Sequence, residues 1–273
     1  MRRLRLGSYL AAVVFAVPFL LPFYLLVRNA LMTKRELGSL EWRWWPEEIT
    51  FQGFADAFSN PAVPLANSLW NSTVIAVVSA PVSTLLASMA GYALARIPVR
   101  ASRPVFYFII ATMMVPGAAT FIPTFVVVGS MGGVNTMWGL IAPGLFSAFA
   151  VLLFRSFYLR FPRELEDAGR VDGLGYLGLY WRLALPNSAA LFASLGILSF
   201  IEHWNAFLWP LVIGQDPEFW TVQVALSTNL NQQAVNLPAL FAGALVAILP
   251  LVALFLVAQR FIVRGVMLSG IKG

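Results

Sequence analysis

An uncharged run of 51 residues, from Pro104 to Phe154, limits the possible folds of this chain more than any other feature. A single helix of that length would measure about 76 Å at 1.5 Å per residue, whereas the hydrocarbon core of a bilayer is about 30 Å thick. The run therefore predicts a hairpin of two membrane spans, and the glycine-rich sequence at 129–133 provides the break between them.

The composition agrees with a membrane protein. Hydrophobic residues make up 59% of the 273 residues and the mean hydropathy is +0.78, whereas soluble domains are about 45–50% apolar. We expect residues 1–273 to form a single all-α integral membrane domain. Charge-poor stretches predict six transmembrane helices, at 8–27, 69–94, 105–128, 137–157, 191–213 and 237–260.

Two further features of the sequence exclude other classes of protein. The basic residues before the first apolar run also fit a cleaved signal peptide, but the run is long, contains Pro18 and Pro22, and lacks a small-residue cleavage motif. We therefore expect it to be retained as a span. The chain has no cysteine, so disulfides and thiolate metal sites are excluded.

The positions of the basic residues predict the orientation. Fourteen of the eighteen Lys and Arg residues fall in four segments, which are the N-terminus, the second loop, the fourth loop and the C-terminus. They are Arg2, Arg3, Arg5, Arg96, Arg100, Arg103, Arg155, Arg160, Arg163, Arg170, Arg182, Arg260, Arg264 and Lys272. The positive-inside rule places these segments, and both termini, in the cytoplasm. The basic charge therefore indicates topology rather than nucleic-acid binding.

The fourth loop, residues 159–190, concentrates charge in a chain that is only 11% charged. Pro162 is typical of the first turn of a helix, and the acids that follow favour the positive end of its dipole. Leu165, Ala168, Gly169 and Asp172 share one face of mostly small residues, and the spacing predicts an ion pair between Glu166 and Arg170. The loop is then either a surface for a partner or a solvated charged linker.

The glycines of this loop predict a turn rather than a nucleotide site. Residues 173–178 fit G-x-G-x-x-G, but that fingerprint requires a preceding strand, and here it follows a predicted helix. Gly173 and Gly175 therefore separate two helices, of which the second is limited by Pro186.

Three motifs resemble permease subunits of binding-protein-dependent ABC importers. The fourth loop is similar to their "EAA" loop, with Asp167-Ala168-Gly169, then Gly173, then Leu183-Ala184-Leu185-Pro186 at the same spacings. "WNAFLWPL" at 204–211 and the ending "QRFIVRGVMLSGIKG" resemble the carbohydrate-uptake, maltose-type branch. The departures are Asp for Glu at 167, Gly for Ala at 169 and Leu for Ile at 183.

The resemblance implies a type I ABC importer permease fold in a bacterial inner membrane, with no cofactor and no enzymatic activity in this chain. It implies four kinds of partner: a second permease in a heterodimer, a cytoplasmic ATPase dimer that holds ATP and Mg, an external solute-binding protein, and membrane lipid. It also implies import of a sugar or sugar-like solute. The residues expected to dock the ATPase and transmit its movement are Glu164, Glu166, Asp167, Ala168, Gly169, Asp172, Gly173 and Pro186.

The predicted fifth span contains the candidate pathway residues. Glu202 and His203 are the only acid and the only histidine placed in a span, where ionisable groups face a cavity or a partner. With Trp204, Asn205 and Trp209 they either line the translocation route, offering ring faces and hydrogen bonds to a sugar, or form contacts between spans. A third interpretation is a proton-coupled secondary transporter in which Glu202 and His203 carry protons.

Overall fold

The protein is described by a computed structural model that covers residues 2–39, 41–230 and 235–270, with side chains left undescribed at 2–6, 8, 10 and 260–270. The end of the terminal motif, residues 271–273, therefore lies outside the described residues. Within the described part of the chain all regular structure is helical. The helices are α1 (Arg2–Ala30), α2 (Lys34–Leu37), α3 (Gln52–Ser59), α4 (Leu65–Arg96), α5 (Ser102–Thr112), α6 (Gly117–Ser130), α7 (Met137–Ile141), α8 (Ala148–Leu159), α9 (Arg163–Val171), α10 (Tyr176–Leu179), α11 (Leu185–Asn187), α12 (Ala189–Trp204), α13 (Leu208–Ile213), α14 (Val222–Leu230) and α15 (Leu237–Gly270).

Three stretches of helix are long and apolar enough to cross a bilayer, at Ala11–Ala30, Leu65–Arg96 and Leu237–Gln259. Three further candidates are bent pairs, in which α5 and α6 meet at 102°, the segment 137–145 and α8 at 43°, and the segment 176–187 and α12 at 79°. The described helices therefore allow up to six spans if each bent pair counts as one.

Three of the predicted spans are interrupted, and in the span predicted at 137–157 the break lies at residues 146–147, before α8. Residues 113–116 separate α5 from α6, and Pro116, which cannot donate a backbone hydrogen bond, stands immediately before α6. Residues 205–207 separate α12 from the six-residue α13, so the stretch 191–213 is two helices. The predicted fourth loop is itself mostly helical: it contains α9, and the helical segment 176–187 leads into α12 after a bend of 79°.

The chain divides into two compact units. The first comprises the residues up to Leu69 together with Val222–Pro250. There α3 packs closely on the start of α15, since a Cβ on Gly53 would lie 2.8 Å from the carbonyl oxygen of Pro238. Hydrogen bonds from Gln52 and Asn236 and the nearby Lys34 lower the pKa of the Asp56 carboxyl, against the opposing effect of burial.

The second unit comprises Trp70–Thr221 and the residues from Leu251 onwards. Its core surrounds Phe154 and Tyr158 of α8, which are fully buried. α4 approaches α8 closely at Gly91, where a Cβ would lie 2.6 Å from the Cβ of Phe154.

A buried network of hydroxyl groups links α4, α8 and the segment that follows the charged loop. The Tyr158 hydroxyl lies 2.8 Å from Ser88 Oγ and 2.9 Å from Ser188 Oγ, and the Tyr180 hydroxyl donates to Ser88 Oγ at 3.1 Å. Tyr180 begins a π-helical turn, Tyr180–Ala184, a geometry that often marks functional segments. The hydroxyl network therefore fixes this turn to the core of the second unit.

Candidate functional site in the charged loop and the cavity

Helix α9 forms the charged part of the loop and is bounded by a proline and a glycine. Pro162 precedes it, and Glu164 and Glu166 occupy its first turn. Gly173 has φ = +79°, in the left-handed region that favours glycine. The Gly173 and Leu174 amides donate to the carbonyls of Arg170 and Gly169, both at 2.9 Å, which closes the helix.

The inner face of α9 is held by a buried ion pair. Glu166 Oε1 lies 3.4 Å from Arg96 Nε at the end of α4, and their side chains are only 5% and 7% exposed. Arg96 also donates to the Phe161 carbonyl just before α9. The predicted Glu166–Arg170 pair is wrong, because Arg170 instead lies 3.5 Å from Asp167, and burial turns Glu166 towards Arg96.

Gly169 lies on the same inner face as Glu166, three residues away along the helix. A Cβ there would lie 2.6 Å from Leu179 Cδ2 and 3.0 Å from Leu183 Cδ1. The small residue therefore permits close packing on the chain's own return segment. The predicted face of small residues was expected to contact a partner, but one of its members, Gly169, packs against this chain instead.

The remaining predicted coupling residues are exposed, and two apolar side chains join them. Val171 is 88% exposed and Leu177 is 68% exposed, although both lie in a well-formed helical loop. We call the outer surface of α9 the coupling face; it consists of Glu164, Leu165, Asp167, Ala168, Val171, Asp172 and Gly173. Pro186 is also exposed, in α11 and away from α9 in sequence. Sequence reasoning did not select Val171, although its position among charged residues was a signal.

A cavity of about 780 Å³ lies in the second unit, within the size range of ligand sites. Glu202, His203 and Trp209 line it, together with side chains of α4 and α6 and the segment before α8. Trp204 does not line it: its side chain is 1% exposed and stacks on Phe200 with the ring centroids 5.9 Å apart. Asn205 is exposed at the end of α12 and is also outside the lining.

His203 occupies a confined position in the cavity wall. Its Nδ1 lies 2.7 Å from the carbonyl oxygen of Ser199, and a carbonyl can only accept, so Nδ1 carries the proton. Its Nε2 faces Gly144, where a Cβ would lie only 2.6 Å away. The Ser199 hydroxyl continues to Ser83 of α4 at 2.9 Å, which links α12 to α4 beside the cavity.

The cavity also contains hydroxyl and aromatic side chains that sequence reasoning missed. They are Ser83, Thr84, Thr120, Phe121, Thr124, Phe146, Ser147 and Phe149. Such residues carry no distinguishing signal in an apolar span, because isolated Ser and Thr commonly bond to their own helix. No cluster of three potential metal ligands occurs among the residues that the structure describes.

Comparison with known families gives one match. Residues 83–268 match the family described as binding-protein-dependent transport system inner membrane component. This match includes α9, its glycine turn and the cavity residues of α12.

Several relatives are similar over most of their length. The arabinooligosaccharides transport system permease protein AraQ of Halalkalibacterium halodurans is 33% identical over 84% of this chain and 81% of that protein. The melibiose/raffinose/stachyose import permease protein MelC of Bacillus subtilis is 30% identical over 100% and 98%, and the lactose transport system permease protein LacG of Rhizobium radiobacter is 32% identical over 81% and 80%.

A solved structure has the same fold. It is a chain in the crystal structure of a bacterial ABC transporter involved in the import of the acidic polysaccharide alginate. The superposition has a TM-score of 0.84 and covers 95% of this chain and 96% of that chain, at 20% identity. The fold of the present chain is therefore that of a type I ABC permease.

Proposed function

The chain belongs to the family of inner membrane components of binding-protein-dependent transport systems, and we propose that it is a permease subunit for import of a carbohydrate. The relatives named for arabinooligosaccharides, for melibiose, raffinose and stachyose, and for lactose support this class of solute. The proton-coupled alternative built on Glu202 and His203 has no support in these matches.

The proposed assembly follows the resemblance. A second permease pairs with this chain, an external binding protein delivers the solute, and a cytoplasmic ATPase dimer that holds ATP and Mg provides the driving force. We expect six spans with both termini in the cytoplasm, which would put the charged loop on the ATPase side; the distribution of Lys and Arg supports this orientation.

The observation that best supports a coupling role is the contrast between the two faces of α9. Its inner face is fixed to α4 by the buried Arg96–Glu166 pair and packs on the return segment at Gly169. Its outer face presents acids beside the almost fully exposed Val171. A helix that is rigidly held on one side and unoccupied on the other can transmit a partner's movement to the spans.

We propose that ATP acts through this contact. Closure of the ATPase dimer can shift the permease between its outward-open and inward-open states only if the coupling face contacts the ATPase differently in the two states. The buried ion pair makes α9 move with α4, so the movement reaches a helix that lines the cavity.

The variant Val171→Arg tests the coupling face. Val171 is exposed, so the substitution leaves the helix intact but places a large charged side chain in the proposed contact. We expect the purified complex to retain less ATPase and ATP-driven uptake to fall about tenfold or more, corresponding to a loss of about 1.4 kcal/mol in docking.

Val99→Arg is the matched control, because Val99 is a 54% exposed apolar residue in the loop between α4 and α5, outside the coupling face. We expect it to retain the ATPase. Normal uptake and full ATPase content in Val171→Arg would contradict the coupling assignment.

A further inference from the structure

Glu202 is the only lining residue of the 780 Å³ cavity that carries a full charge, and all of the lining lies in the described part of the chain. Its side chain is exposed. A carboxylate only accepts hydrogen bonds, so its unpaired oxygens favour a ligand that donates. It also repels any anion that enters the same cavity.

Several potential donors of the lining are already used within the chain. The indole nitrogen of Trp209 donates to the Gly139 carbonyl at 3.0 Å. The hydroxyl groups of Thr120 and Thr124 donate to the carbonyls of Gly117 and Thr120, at 3.1 and 2.7 Å. Each threonine hydroxyl therefore offers a ligand its lone pairs rather than its hydrogen.

The imidazole of His203 adds no donor to the lining. Its Nδ1 already donates to the Ser199 carbonyl, and its Nε2 faces Gly144. Ser147 differs, since its Oγ accepts from the Ala150 amide at 3.2 Å and keeps its own hydrogen to donate. The lining thus presents many acceptors and few donors.

We propose that this cavity selects uncharged, hydroxyl-rich solutes and rejects acidic ones, with Glu202 as the specificity-determining residue; this rests on the proposed function. Sugar hydroxyls supply the donors that the lining lacks, and Trp209 and the phenylalanines offer apolar surface for the faces of sugar rings. A uronate or phosphate group brings further acceptors and a negative charge. Like charges about 8 Å apart at an effective dielectric constant of about 20 weaken binding about 30-fold. Water in the cavity reduces this, so we expect about tenfold.

The test measures the binding of a matched pair of sugars to the complete transporter, purified with its second permease and ATPase but without the external binding protein. The probes are radiolabelled α-1,4-galactobiose, which is uncharged, and α-1,4-digalacturonate, which has the same ring configuration and linkage but two carboxylates. We expect saturable binding of galactobiose and at least about tenfold weaker binding of digalacturonate.

Three variants assign this discrimination to one residue. Glu202→Gln should raise the affinity for digalacturonate about tenfold, with a much smaller effect on galactobiose, whereas Glu202→Asp should keep the wild-type discrimination. Glu218→Gln is the control, because it makes the same chemical change at an exposed acid outside the cavity. We expect it to behave as wild type.

The inference is overturned if wild type binds both sugars equally, if it binds no galactobiose, or if Glu202→Gln still rejects digalacturonate. ATP-driven uptake, measured with the external binding protein present, separates this failure from that of the proposed function. If the complex imports a solute but lacks this discrimination, the proposed function stands and the inference is wrong. If the complex shows no ATP-driven uptake of any solute, the proposed function is wrong.

Discussion

Arg96 and Glu166 form the interaction that most directly connects the charged loop with a span. Each is almost fully buried, and removal of one partner leaves the other charge buried and unpaired, which costs about 3–5 kcal/mol. We expect Glu166→Ala to lower the unfolding temperature of the purified complex and to reduce its ATPase content, because α9 is no longer fixed to α4.

Two companion variants separate this effect from a simple loss of charge. The double variant Arg96→Met, Glu166→Leu replaces the pair with apolar side chains and should recover most of the stability, since no isolated charge remains. Asp167→Asn breaks only the exposed pair with Arg170 and should change stability by less than about 1 kcal/mol. A Glu166→Ala complex as stable as wild type would contradict the positioning role.

Glu166 and its neighbours show which parts of the candidate site can be predicted from the sequence and which cannot. The spacing of the charged loop predicted helix α9 and its glycine turn, which the structure contains. Of the residues predicted in the fifth span, Glu202, His203 and Trp209 line the cavity, and their roles stay predictions. The spacing chose the wrong partner for Glu166, because the i, i+4 rule considers one helix, whereas burial against α4 brings Arg96 from 70 positions away. For Trp204 the sequence left a sugar platform and a structural contact open, and the structure gives it a buried position, stacked on Phe200 four residues earlier in α12.

Among the helices, the contact between α4 and α8 depends on Gly91. A Cβ there would lie 2.6 Å from Phe154 Cβ and 2.8 Å from the Arg155 amide nitrogen, and these atoms belong to or adjoin the backbone. We expect Gly91→Ala to destabilise the complex by about 1–3 kcal/mol, the usual cost of overpacking, measured as a lower unfolding temperature.

Gly196→Ala in α12 is the matched control for Gly91→Ala. Its added Cβ would lie 3.7 Å from Thr84 Oγ1, an ordinary contact, and alanine favours helix by up to about 1 kcal/mol. It should therefore be neutral or stabilising. Equal effects of the two variants would indicate that close packing at Gly91 is not what stabilises this contact.

The helical type of the elements was easier to predict than their continuity. Hydropathy finds apolar stretches of sufficient length, and all six predicted stretches contain helix. It does not detect the 102° bend between α5 and α6 or the break at 205–207, because hydropathy reports how apolar a stretch is and not the path of its backbone. Such bends depend on which neighbouring groups satisfy the freed backbone atoms, and that is a property of tertiary packing.

For the complete chain, the orientation in the membrane is the prediction that most affects the proposed mechanism, because the coupling face must lie on the ATPase side. The chain has no cysteine, so a single introduced cysteine is a unique reporter. Val171 and Ile49 are both exposed, at 88% and 66%. Val171 lies in the fourth loop, which is predicted to be cytoplasmic, and Ile49 lies between the first two predicted spans, hence on the external side. In intact spheroplasts, a membrane-impermeant maleimide should label Ile49→Cys at once and Val171→Cys only after permeabilisation. The reason is that the positive-inside rule retains the arginine-rich fourth loop in the cytoplasm.

Uptake measured on both variants verifies that the labelled protein is functional. Labelling of Val171→Cys in intact spheroplasts would place α9 on the external side, where it could not contact a cytoplasmic ATPase.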